Sequence, residues 1–111
     1  MGKVEDYRDY IQSLLSEYAS YKSLSDDIEA QTIFDTDRDH YQLVDVGWHD
    51  NHRVYGCVLH LDIKDGKIWI QHDGTEIGIA ERLVELGVPK QDIVLAFQAP
   101  YKRQYTGFAV S

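Results

Sequence analysis

The pair Asp65-Gly66 stands between two runs of strand-forming residues and constrains the fold more than any other feature of this sequence. Asp-Gly suits the two central positions of a type I′ turn, whose twist matches that of the strands it joins. With those residues as the loop, Lys64 faces Lys67, Ile63 faces Ile68, Leu61 faces Ile70 and Leu59 faces His72. Leu59, Leu61, Ile63, Ile68 and Ile70 then line one side of the hairpin, and so apolar a row has to be the core side. The other side carries Val58, His60, Asp62, Trp69 and Gln71.

Further strands precede this hairpin. The runs Ile28 to Thr36, Tyr41 to Trp48, Arg53 to Ile63 and Lys67 to His72 follow one another across short polar connections. No helical pattern intervenes, which predicts a four-stranded antiparallel meander. An unbroken register through a turn at Asp50-Asn51 adds Tyr41, Leu43 and Val54 to the Trp69 face. A face that apolar predicts either an interface or a cover supplied by the C-terminal segment. The candidate contacts are Tyr41, Leu43, Val58, His60 and Trp69, with Arg103 and Phe108 from the tail, and self-association is expected.

Helices flank the meander. Val4, Tyr7, Ile11, Leu14, Leu15 and Tyr18 recur at steps of three and four, predicting a helix from Val4 to about Tyr21. Ser20 to Asp27 reads as a loop. Asp73 is a natural helix N-cap, with Glu76 three residues on as in a capping box. Ile77, Ala80, Leu83, Val84 and Leu86 form the buried side of that second helix, and Gly87 ahead of Val88-Pro89 stops it. Asp92 to Phe97 reads as a short buried strand. The expectation is one α+β domain over residues 1–111: N-terminal helix, four-stranded antiparallel meander, second helix and a further short strand.

Charge narrows the function. Nineteen acidic side chains against eleven basic ones give a net charge of −8, opposite to what neutralises nucleic-acid phosphates. The densest basic cluster is Lys102-Arg103, so no direct nucleic-acid binding is expected. Cys57 is the one cysteine and lies in an apolar run, predicting a buried, reduced thiol. No apolar stretch reaches the length of a membrane span and no signal-peptide core is visible, so the expected location is the cytoplasm.

Three groups invite a search for chemistry. His49 and His52 flank a turn without the three or four convergent ligands that zinc requires. His60 stands opposite Gln71 and beside Asp62, a possible base and orienter, but no activated nucleophile accompanies them. The segment His72-Asp73-Gly74-Thr75-Glu76 joins a strand to a helix, and its acidic residues argue against phosphate. It reads as a capped helix start. The alternative is a small enzyme or ligand-binding domain with a pocket formed by His72, Asp73, Gly74, Thr75 and Arg103. No catalytic residue, cofactor or metal is expected.

The motifs, taken in order, resemble those of a known family. Ile33-Phe34-Asp35-Thr36, Asp39-His40-Tyr41-Gln42-Leu43 and Arg53-Val54-Tyr55-Gly56 lead to Lys67-Ile68-Trp69-Ile70-Gln71-His72-Asp73-Gly74-Thr75-Glu76. Gly87-Val88-Pro89-Lys90, Asp92-Ile93-Val94-Leu95 and a tail with Arg103, Thr106 and Phe108 complete the series. Over nearly the whole chain this is similar to the XisI family, the fdxN-element excision controlling factors of cyanobacteria. The resemblance implies a small α+β fold and a non-enzymatic accessory role in excising a DNA element during heterocyst development. It also implies a recombinase and an XisH-like, nuclease-related companion as partners, and it supplies no catalytic residues.

Overall fold

The computed structural model describes residues 2–22 and 27–111. Helix α1 (Lys3–Lys22) is followed by strands β1 (Ile28–Asp35), β2 (His40–His49), β3 (His52–Lys64) and β4 (Lys67–Asp73). Helix α2 (Ile79–Glu85) then leads to β5 (Ile93–Leu95), and 3₁₀ segments occupy Lys90–Asp92 and Pro100–Tyr105. Ser20 to Lys22, expected in a loop, continue α1, and the rest of that loop at 23–26 lies outside the described residues.

The sheet order is β1-β2-β3-β4-β5. The first four strands form the expected antiparallel meander, whereas β5 runs parallel to β4. A parallel neighbour needs a crossover, and α2 supplies it. The two-residue turns of the β2–β3 and β3–β4 hairpins place positive φ at both central residues, as type I′ requires: Asp50 (47°) and Asn51 (69°), then Asp65 (53°) and Gly66 (76°).

The helices bury their apolar stripes against one face of the sheet. Tyr7, Ile11, Leu14 and Leu15 of α1 and Ile79 and Leu83 of α2 meet Leu59, Leu61, Ile68 and Ile70 in one cluster. Polar bonds fix α1 at both flanks of this layer. Arg8 donates to both carboxylate oxygens of Asp39 (2.7 and 3.1 Å), which also accepts from the Tyr41 hydroxyl at 2.9 Å. Tyr7 donates its hydroxyl to Asp92, which also accepts from Lys3 at 3.2 Å.

Two β-bulges correct the unbroken registers. In the β2–β3 ladder Val44 stands opposite Cys57 and Leu43 opposite Leu59, leaving Val58 without a cross-strand partner. A one-residue slip moves everything beyond it to the other face. Tyr41 and Leu43, expected on the Trp69 face, therefore point into the core and are fully buried. In the β3–β4 ladder the slip falls between His60 and Leu61, so His60 opposes His72 rather than Gln71, and Leu59 opposes Asp73 rather than His72. Cys57 lies beside the first bulge and is exposed rather than buried.

Helix α2 starts later than its capping signal suggests. Gly78 has φ of 92°, which interrupts any helix begun at Asp73. Asp73 still caps, but across a loop: Oδ1 accepts from the Thr75 N–H (2.9 Å) and hydroxyl (2.5 Å), and Oδ2 accepts from the Ile79 N–H (2.8 Å). Ile77 therefore precedes the helix and is exposed, not buried, and Leu86 at the C-cap is exposed as well.

Candidate functional site

The face of the sheet opposite the helices is divided between a covered end and an open one. At the β4–β5 end the C-terminal segment folds back. Arg103 donates to the carbonyls of Gln98 (3.1 Å) and Ala96 (3.2 Å), and its guanidinium lies 5.7 Å from the centre of the Trp69 ring. Lys64 approaches the same ring at 4.8 Å, and the indole N–H donates to the Lys64 carbonyl at 3.2 Å. Two cations on one indole make a compact cation–π stack.

Beyond Arg103 the chain stays anchored. The Thr106 hydroxyl donates to the Arg103 carbonyl and accepts from the Phe108 N–H, and the Ala109 N–H donates to Ile93 O at 2.9 Å. Phe108 packs on the edge of the core under Lys90. Held on this frame, Tyr101 and Tyr105 project outward at 69% and 81% exposure, with Phe97 and Val110 also exposed.

At the β2–β3 end the face is open and polar. His40 stands directly opposite Asp62, and His60 precedes Asp62 by two positions on the same strand. Asp62 Oδ1 lies 2.8 Å from His40 Nδ1 and 3.0 Å from His60 Nε2, while Oδ2 accepts from Gln71 Nε2 at 3.1 Å. The spacing of His60 and Asp62 is readable in the sequence. His40 enters only through the bulged register, because an unbroken one sets Tyr41, not Gln42, across from His60.

The residues of the pocket alternative make separate sets of hydrogen bonds. Asp73 and Thr75 bond to each other and to the loop backbone as far as Ile79, whereas Arg103 is spent on the Ala96 and Gln98 carbonyls. Gly74 presses its N–H against the Val58 carbonyl at 2.8 Å, bridging β4 to the bulge. His72 is exposed opposite His60. Of the expected interface residues, Trp69 and Arg103 are brought together, Phe108 packs on the edge of the core, His60 joins the polar cluster, and Val58 is half-buried against the core.

A second exposed region lies at the tip of the β2–β3 hairpin. Trp48 and Tyr55 are exposed there, with Arg53 over the Trp48 ring at 5.5 Å. β4 pairs with β3 only from Leu59 onward, so residues 52–57 form an edge on that side. Among the described residues no helix is long and apolar enough to cross a membrane.

Two helices on one face of a five-stranded mixed sheet, with a tail closing one end of the other face, define a small α+β domain of the XisI type. The chain belongs to the XisI protein family, whose sequence profile matches residues 1–110. An XisI-like protein from Anabaena variabilis ATCC 29413 is 53% identical, with a TM-score of 0.89 over 96% of this chain and 97% of that one. The fdxN element excision controlling factor XisI of the same organism is 37% identical, with a TM-score of 0.86 over 99% of this chain and 100% of that one. No curated protein matches the chain.

Proposed function

We propose that this protein is a non-enzymatic controlling factor for excision of a DNA element, acting by contact with an XisH-like, nuclease-related protein. The tail carries this reading. Tyr101 and Tyr105 are large, exposed and displayed on a segment that Arg103 pins to the sheet, the pre-ordered aromatic presentation that interfaces favour. The net charge of −8 supports contact with protein rather than DNA, and the relative named as an excision controlling factor supports the process.

Self-association belongs to the proposal on a different surface from the one expected. The Trp69 face loses Tyr41 and Leu43 to the core, whereas the β3 edge at 52–57 offers unpaired backbone and the exposed Tyr55 to a second copy.

The test is calorimetric titration of the XisH-like partner into this protein. The double variant Tyr101→Ala, Tyr105→Ala is expected to weaken the complex by more than ~1 kcal/mol. A complex of unchanged affinity would remove the tail from the interface.

A further inference from the structure

We propose that His40, His60 and Asp62 form a binding site for a divalent transition-metal ion of the zinc class. Their three donor atoms lie within 4.8 Å of one another on the open end of the sheet face. Two imidazoles and a carboxylate suit zinc, cobalt or nickel, whereas magnesium and calcium prefer all-oxygen sites.

The geometry is close to what such an ion requires. Tetrahedral zinc with bonds of about 2.0–2.1 Å sets neighbouring ligand atoms roughly 3.4 Å apart. The two histidine nitrogens now stand 2.8 and 3.0 Å from Asp62 Oδ1, so the cluster has to open by roughly half an ångström. His40 and His60 are the more exposed members, with side chains 54% and 29% exposed, whereas that of Asp62 is 17% exposed. The Gln71 amide holds Asp62 Oδ2 and leaves Oδ1 facing both imidazoles, the outer support that orients a metal-ligating carboxylate.

The scaffold and the field act in the same direction. Cross-strand pairing of β2 with β3 fixes the three ligands on two central strands rather than on loops. The excess of eight negative charges raises the local concentration of cations. Three protein ligands leave at least one coordination position for water, so the site is open, and the rearrangement it must undergo sets the expected affinity in the micromolar range. The His49–Asp50 contact at the exposed β2–β3 turn is a different place and serves as the control.

The experiment is calorimetric titration of Zn²⁺ into the tag-free full chain, repeated with Co²⁺ while recording visible absorption. One saturable ion per chain is expected, with Kd in the micromolar range and no competition from a hundredfold excess of Mg²⁺. His40→Ala and Asp62→Asn should each weaken binding by at least about tenfold. The pair His49→Ala, His52→Ala should leave it within about twofold. Ni²⁺ added to the unsubstituted protein should broaden the ring-proton resonances of His40 and His60 before those of His49 and His52, a readout independent of any variant's folding. Absence of saturable binding would overturn the site. So would affinity unchanged in both His40→Ala and Asp62→Asn, loss confined to the turn variant, or broadening that starts at His49 and His52.

Discussion

Arg103 caps the indole of Trp69, with its guanidinium 5.7 Å from the ring centre and its donors on the carbonyls of Ala96 and Gln98. This contact ties the C-terminal segment to β4 and sets where Tyr101 and Tyr105 stand.

Arg103→Ala should therefore loosen the tail. Two charge-assisted hydrogen bonds and a cation–π contact disappear together, and the loss should be about 1–3 kcal/mol of unfolding free energy. Arg103→Lys should restore only part of it, because an ammonium cannot reproduce the planar fork. Urea denaturation followed by Trp69 fluorescence, in a Trp48→Phe background, measures both.

The ladder slip at Val58 yields a sharper prediction. Deleting Val58 takes out the extra residue and keeps Leu43 opposite Leu59 and Tyr41 opposite Leu61, so both side chains stay in the core. Each fully buried side chain contributes about 1.5–3 kcal/mol against a total stability of roughly 5–15 kcal/mol. Because the deletion keeps both in the core, cooperative thermal unfolding should survive it. Leu59→Ala, with the register kept, should leave a folded protein weaker by about 2–5 kcal/mol.

How far the sequence reveals this protein follows from the same slip. Periodicity shows the stripe of α1, and Asp65-Gly66 shows the β3–β4 hairpin as far as Leu61 and Ile70, because both are local signals. A bulge leaves no such mark: Val58 looks like any other residue of an apolar strand, yet it decides the faces of Tyr41 and Leu43. The His40–His60–Asp62 cluster was hidden for that reason. Asp73 was legible as a cap, but its reach to Ile79 depends on the backbone turn at Gly78, which the neighbouring residues do not announce.

Stability should form a plateau in pH bounded by four side chains. Hydrogen bonds from Arg8 hold the Asp39 carboxyl below its ordinary 3.8, and the bond from Tyr7 does the same for Asp92. A depressed folded pKa stabilises above the unfolded value, so this contribution is present above about pH 4 and is lost as pH falls further. Burial raises the Tyr7 and Tyr41 hydroxyls above their ordinary 10.0, so their contribution is present below that value and is lost as pH rises past it. The melting temperature should be level between these limits. Arg8→Ala should lower it at pH 7 and less below pH 3.8, where the unfolded chain takes up the proton that the folded Asp39 resists.

The open edge of β3 can be tested apart from the partner. Tyr55→Lys changes an exposed side chain and should alter stability by no more than about 0.5 kcal/mol. An edge lysine discourages strand pairing, so light scattering at tens of micromolar should show less dimer than for the unsubstituted chain. Equal dimer content in the two proteins would place self-association elsewhere.

The most direct test of a role exerted through protein contact is fluorescence anisotropy of a labelled DNA duplex at physiological salt. With this protein alone, no binding is expected, because Lys102 and Arg103 can neutralise only a couple of phosphates against a net charge of −8. With the XisH-like partner present, anisotropy should rise, and adding this protein should change the amplitude or the midpoint. Saturable, steeply salt-dependent binding by this protein alone would contradict that role.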